Sequence, residues 1–289
     1  MNDGAPQISI IIVTFNSLPS LRVCLAHLKE AARNLNCELI MVDNDSADNS
    51  PSVAKNFWPQ ARLFVNRKNI GFAGACNQGA REASGNYLLF LNPDVFVDSH
   101  CLEELANFMR GKEKVGAVGG RMRFPDGTFQ PTCRNLPTLW NLIFSRGSAL
   151  GRIFRSSHFY TLPDAALPTE VPAVAGTLLV IRKDVFERVG RFDSNYFMYL
   201  EDSDLCKRLN MLGFANFFLP AAGAVHDWGR GSSGGFIKRS WHHHRSVYKY
   251  FRKHKRGWAT FTILPLMLFL NFILTGLVNS ILPSKSQLS

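Results

Sequence analysis

The chain reads as an α/β protein, a sheet with helices packed over it, followed by a helical tail that is first basic and then apolar. Three observations predict this. Apolar runs of strand length alternate with amphipathic stretches of helix length between residues 8 and 219. The runs end in loops rich in Asn, Asp and Gly. From Trp228 onward there are ten Lys/Arg and no Asp or Glu, leaving 23 bases against 22 acids in residues 1–227.

With 289 residues, 46% hydrophobic and 19% charged, the chain can bury a real core as one large domain or two small ones, which excludes general disorder. Its six cysteines are scattered without a C-x-x-C, so neither a disulfide framework nor a structural zinc site is expected, and a reducing, cytosolic face fits best. The start of the chain lacks a basic segment and a long apolar run, so no signal peptide is expected there.

In order, Ile8–Val13 is the first strand, and Leu21, Cys24, Leu25, Leu28, Ala32 and Leu35 share one face of the helix after it. Glu38–Val42, Arg62–Val65 and Tyr87–Leu91 are the next strands. A helix over Phe72–Ala83 lies between the last two, closed by Ser84-Gly85. A helix over Ser99–Met109 and a strand over Val115–Val118 follow. Residues 121–169 have no clear period and read as long connections with a short helix. Val174–Ile181, Asp202–Leu212 and Ala215–Leu219 are then strand, helix and strand.

Ligands of open α/β sheets collect beyond the carboxyl ends of the strands. Here those ends carry Thr14-Phe-Asn16, Asp43-Asn-Asp-Ser-Ala-Asp48, Asn69-Ile-Gly-Phe-Ala-Gly-Ala-Cys-Asn77 and Asn92-Pro-Asp94. Any one such loop is an ordinary turn; four on one edge point to a site. The G-x-G-x-x-G of a dinucleotide-binding unit is missing after strand one, and G-x-x-x-x-G-K-[ST] is absent, which excludes those two classes. Gly71-Phe-Ala-Gly74 opens a helix whose free N–H groups could face an anion.

Read in order, these loops resemble the family 2 glycosyltransferases of GT-A fold, in particular the bacterial rhamnosyltransferase branch. The resemblance covers residues 8–250 and also includes Ala175-Gly-Thr-Leu-Leu-Val-Ile-Arg182, Phe197-Met-Tyr-Leu-Glu-Asp-Ser-Asp-Leu-Cys-Lys-Arg208 and Val225-His226. It implies a mixed, mainly parallel sheet and a nucleotide pocket lined by Thr14, Asn16, Asp43, Asn69 and Asn77, with Gly71 at the helix start and Asp43 accepting a hydrogen bond from the pyrimidine. Asn92, Gly176 and Trp228 are expected around the donor and acceptor.

The chemistry of transfer sets further expectations. The diphosphate that leaves gains negative charge, which a divalent metal (Mg or Mn) held by carboxylate oxygen would neutralise. Asp94 is the candidate ligand and His226 a second; Asn92 stands where the family often has another Asp, and each also has an ordinary structural reading. The acceptor hydroxyl needs a carboxylate base. Glu201, Asp202 and Asp204 are candidates; by resemblance Asp202 is the base and Glu201 orients the acceptor or its neighbours, with a helix N-cap as the competing role for Asp202. One base opposite a diphosphate gives inversion. A glycoside hydrolase would leave the nucleotide loops without a purpose, a nucleic-acid partner is not expected, and an inactive nucleotide-sugar-binding module is the alternative. L-Rhamnose from dTDP-rhamnose is the expected donor and a lipid-linked saccharide the acceptor, in cell-surface polysaccharide synthesis.

The tail divides from the catalytic domain at 230/231. Ile237, Trp241, His244, Tyr248 and Phe251 form one helical stripe, which either docks the helix on the domain or lies on an anionic membrane surface; the latter is the reading taken here. His242-His-His244 counts with its basic surface. Residues 261–282 are long enough to span a membrane, but Pro265, Asn271, Gly276 and Asn279 leave a span, an in-plane or hairpin segment and a partner surface open. The expected location is the cytoplasmic face of the cell membrane.

Overall fold

The computed structural model describes residues 7–138, 161–227, 235–255 and 257–281. Strand β1 (Ile8–Thr14) is apolar on both faces, as only a central strand can be. Ile8, Ile10 and Ile12 enter one core and Ile11 the other. It pairs in parallel with β2 (Cys37–Asp43) and with β4 (Tyr87–Leu91), and β2 pairs with β3 (Arg62–Val65).

Beyond β4 the sheet becomes mixed. With β5 (Val95–Val97), β6 (Val115–Arg123), β11 (Leu178–Arg182) and β12 (Ala215–His226), the order is β3-β2-β1-β4-β11-β6-β12-β5. β11 runs antiparallel to both β4 and β6, while β12 and β6 are parallel. The carboxyl ends of β1, β2, β3, β4, β6 and β12 therefore share one edge with the start of β11.

Helices α1 (Leu18–Ala31), α2 (Ser50–Phe57) and α4 (Cys101–Met109) close one face, through side chains such as Leu25, Val53 and Leu105. The opposite face takes α3 (Phe72–Glu82), α5 (Lys183–Arg188) and α6 (Glu201–Met211), through Ala73, Phe186 and Leu205. All six cysteines are unbridged.

Several boundaries differ from the sequence expectation for local reasons. β12 runs past Leu219 to His226 because Pro220 falls in a bulge, where its missing N–H costs the ladder nothing. The expected strand 174–181 is two: β10 (Ala173–Val174), then a loop at 175–177, then β11. The aperiodic stretch supplies β7 (Phe129–Gln130) and β8 (Cys133–Arg134), and β9 (Thr169–Val171) pairs with β12; the short helix expected within 121–169 is not found at 121–138 or 161–169, and 139–160 lie outside the described residues.

The tail docks on the domain. Helix α7 (Phe236–His254) buries His244, Ser246, Val247, Tyr250 and Phe251, and Tyr196, Leu200 and Leu264 complete a third core around it. The face differs from the stripe read in the sequence: Ile237 is 68% and Trp241 51% exposed. Ion pairs accompany the apolar contact. Asp204, fully buried, accepts from Lys253 Nζ at 3.0 Å and Arg208 Nε at 2.8 Å and lies 2.7 Å from His254 Nε2, while Lys253 also reaches Asp193 at 2.7 Å. Helices α8 (Trp258–Phe261) and α9 (Ile263–Ile281) follow, with Asn271 Nδ2 2.9 Å from His244 Nε2 and Phe272 edge-on to Trp241. Among the described residues no helix is long and apolar enough to cross a membrane.

Candidate active site

The loops after β1 and β2 are sewn into one unit. Thr14 Oγ1 donates to Asp43 Oδ1 at 2.7 Å, and Ser46 donates to the same carboxylate through its hydroxyl (2.5 Å) and its N–H (2.9 Å). Asn16, at φ 52°, accepts the Ala47 N–H at 2.7 Å, and Asp48 receives the Leu18 N–H at 3.0 Å, where α1 begins. Thr14 and Asp43 are wholly buried. They frame the carboxyl ends of β1 and β2, and Asn16 beside them is half-buried.

The turn after β3 is built in the same way. Asn69 Oδ1 accepts the Gly71 N–H at 2.9 Å, and Asn44 donates to the Gly71 carbonyl at 3.2 Å. At the start of α3 the Phe72 N–H donates to the Phe197 carbonyl at 2.8 Å. Gly71 sits at φ +82°, and a Cβ there would lie 2.6 Å from Phe197 O. Glycine is required there by the close approach to Phe197. The Asn77 amide donates to Phe192 O at 2.7 Å and accepts the Phe192 N–H at 3.1 Å, so it straps α3 to the chain before residues 197–202.

That segment is held under strain. Tyr199 (φ 70°) and Leu200 (φ 66°) are successive left-handed residues, each costing about 1–2 kcal/mol. Helix α7 holds them in place: His242 stacks on Phe197 at 4.5 Å, His243 meets Tyr199 edge-on at 5.7 Å, and Ser246 Oγ donates to Met198 O at 2.8 Å. Burial, then the charges of His244 and Arg134, push His243 down to about 4, so it is neutral and no part of a basic surface.

Immediately after this loop come the two carboxyls. Asp202 is buried and does not cap the helix, which already begins at Glu201. Its Oδ2 accepts the Gly176 N–H at 2.9 Å and pairs with Arg134; its Oδ1 accepts the Ser203 N–H at 2.6 Å. Glu201 is also buried, and its Oε2 receives no hydrogen bond. Burial first, and then the charge of Asp202, push the Glu201 carboxyl up to about 8. At neutral pH Glu201 therefore carries its proton.

Asn92 follows β4, and its N–H donates to Thr177 O at 2.9 Å, one residue from Gly176. Two residues on, Asp94 is buried; its Oδ1 receives no hydrogen bond and lies 3.4 Å from His226 Nε2, at the end of β12. Asn92, Asp94, Gly176, Asp202 and His226 thus stand along one stretch of the sheet edge. Trp228 lies outside the described residues. Sequence reasoning missed Arg134 and Gln130, the latter with Oε1 3.1 Å from His226 Nδ1. Both sit in strands two residues long, which carry no periodic signal.

The mixed, mainly parallel sheet flanked by helices is the GT-A fold. Residues 9–190 match "Glycosyl transferase family 2", and the chain belongs to that family. It is a glycosyltransferase with rhamnosyltransferase-like sequence. It is 28% identical over 273 residues to the N-acetylglucosaminyl-diphospho-decaprenol L-rhamnosyltransferase of Mycobacterium tuberculosis, covering 89% of this chain and 87% of the relative. To rhamnosyltransferase WbbL of Escherichia coli it is 29% identical over 193 residues, 66% of this chain and 70% of the relative. The fold is similar to that of the mannosyltransferase PcManGT from Pyrobaculum calidifontis in complex with GDP-Man and Mn2+, with TM-score 0.59 and 18% identity over 98% of this chain and 77% of that one.

Proposed function

We propose that the chain transfers L-rhamnose from dTDP-rhamnose, with inversion, to a saccharide carried on a lipid diphosphate. The observation that carries this reading is the alignment, on one sheet edge, of the Asp94–His226 pair with Asp202, linked through Asn92, Thr177 and Gly176. The named activity of the Mycobacterium relative supports the sugar and the acceptor class.

Asp94 and His226 fit a divalent cation, because a buried carboxylate oxygen without a hydrogen bond faces an imidazole nitrogen 3.4 Å away, a spacing that two donors to one ion can adopt. The described residues contain no group of three or more such ligands, so diphosphate oxygens and water would complete the shell. Bound there, Mg or Mn would neutralise charge on the departing diphosphate. The floor framed by Thr14 and Asp43, with Asn16 and Asn69 at its surface, seats the nucleotide. Asp202 takes the proton of the acceptor hydroxyl as that oxygen bonds to the anomeric carbon and the bond to the diphosphate breaks; one displacement inverts the centre. Glu201, protonated, serves as a hydrogen-bond donor beside it.

The tail adds the setting. Trp258, Phe261, Leu266, Leu270, Leu274 and Leu277 expose an apolar face on α8 and α9, and Lys238, Arg245, Arg252 and Lys255 are exposed nearby in the chain. This combination suits an anionic membrane surface, with α9 lying in its plane and the site at the cytoplasmic face, where lipid-linked acceptors would be met. Residues 231–289 then form the membrane-associating unit of a division at 230/231, with α7 docked as its inner layer.

The test is a panel of nucleotide sugars offered with a lipid-diphosphate saccharide, with and without chelator, the product's anomeric configuration being read by NMR. Chelator-sensitive transfer from dTDP-rhamnose with inversion is expected. Transfer only from other donors, or retention of configuration, would overturn the assignment.

A further inference from the structure

His242, Ser246, Lys249 and Lys253 lie on one face of α7, at i, i+4, i+7 and i+11. All four touch the segment that leads into α6. His242 stacks on Phe197 with ring centroids 4.5 Å apart, Ser246 Oγ donates to Met198 O at 2.8 Å, Lys249 Nζ donates to Asn195 O, and Lys253 Nζ reaches Asp193 at 2.7 Å. The helix therefore runs along residues 193–198 in the opposite direction and grips them side chain by side chain. From the other side α3 holds the same segment through the Phe72 N–H, which donates to Phe197 O at 2.8 Å.

Of the four, Ser246 carries the hold. Lys249 and Lys253 lie partly in solvent, where such contacts contribute little, whereas Ser246 is 3% exposed. A serine inside a helix ordinarily turns its hydroxyl to water or back to a carbonyl of its own helix; this one reaches across to Met198. The carbonyl it bonds immediately precedes Tyr199 and Leu200, both left-handed, and these two residues precede Glu201 and Asp202 at the start of α6. A strained conformation persists only where its surroundings over-determine it. Without the Ser246 bond the pair has less to oppose its relaxation, and relaxation turns the first residues of α6, Asp202 among them.

We infer that Ser246 is a positioning residue for the reaction: from the tail helix it fixes residues 198–200 and so the direction of Asp202 toward the acceptor hydroxyl. The inference rests on the reading of Asp202 as the base and deepens it. It makes α7 part of the catalytic unit as well as the link to α8 and α9. Misplacing a reacting group by about 1 Å through a change distant from the chemistry costs up to about 10²-fold in rate.

The experiment uses the full chain as wild type, Ser246→Ala, Ser246→Thr and Asp202→Asn. Hydrogen exchange is read by mass spectrometry, dTDP affinity by calorimetry, and kcat with dTDP-rhamnose and a lipid-diphosphate saccharide. Ser246→Ala should exchange faster over residues 197–204 with β1 and β4 unchanged. It should keep dTDP affinity within about threefold and lose about 10-fold or more in kcat. Ser246→Thr keeps the hydroxyl and should stay close to wild type in all three. Unchanged exchange, unchanged kcat, dTDP affinity falling in step with kcat, or a threonine variant as impaired as the alanine one would each overturn the role of Ser246. If Asp202→Asn loses kcat while Ser246→Ala does not, only the role of Ser246 falls; if Asp202→Asn keeps wild-type kcat, the base reading falls and the positioning of Asp202 with it. If wild type transfers nothing from dTDP-rhamnose, the donor reading falls, and the exchange comparison, which needs no substrate, still decides the hold on 197–204.

Discussion

Glu201→Gln keeps the shape of the most perturbed carboxyl at the site and removes its titration. In the folded chain this group is pushed up from its ordinary 4.5 to about 8, burial being the larger cause and the Asp202 charge the second. Below pH 4.5 the carboxyl is protonated in both folded and unfolded chains, and folding meets no penalty from it. Between pH 4.5 and 8 the unfolded chain releases the proton while the folded chain keeps it, so stability falls as pH rises and levels off above 8. At about 1.4 kcal/mol per pH unit the window allows at most about 5 kcal/mol. Gln has no proton to release. The stability of the variant relative to wild type should therefore climb steadily from pH 5 to 8.5, whatever constant cost the buried amide adds. Urea denaturation of both proteins at half-unit pH steps measures this, and groups common to both cancel. Parallel curves would refute the claim that Glu201 is buried and protonated. Asp202→Asn removes the second cause and should narrow the window.

Gly71→Ala meets both a positive φ and a Cβ 2.6 Å from Phe197 O, and should cost about 3 kcal/mol or more by urea denaturation, whereas Gly111→Ala, at φ +72° in open space, should cost about 1. Equal costs would show that the contact with Phe197 is not what demands glycine. On the tail, Leu266→Glu/Leu270→Glu/Leu274→Glu changes exposed side chains of α9 and should greatly weaken flotation with anionic vesicles while shifting Tm by no more than about 2 °C. Unchanged flotation would remove α9 from the membrane contact.

The sheet was legible because its strands are dense apolar runs ending in polar loops: Arg62–Val65 and Tyr87–Leu91 fall where the sequence puts them. Helix α2 was missed because Ser50-Pro51 reads as a continuation of the acidic loop, although Pro in the first turn also starts helices. At the site, sequence marks the positions but not the partners. Thr14 and Asp43 look like ligand-binding residues, and only the parallel register reveals that they satisfy each other. Gln130 and Arg134 were invisible because both reach the edge through pairings of two residues, set by turns and neighbouring strands rather than by a period. The α7 stripe matches the buried face at His244 and Phe251 but not at Ile237 and Trp241, and the pairing of Lys253 and His254 with buried Asp204 is nothing a hydrophobic pattern registers.

The most direct test of the account is Asp202→Asn, assayed for donor affinity and turnover on the same protein. Asn keeps an acceptor for the Gly176 N–H and loses the capacity to take the acceptor's proton. Donor affinity should stay within about threefold while kcat falls by about 10²-fold or more. A kcat within a few-fold of wild type, or a donor affinity that falls in step with kcat, would contradict the assignment of Asp202 as the base.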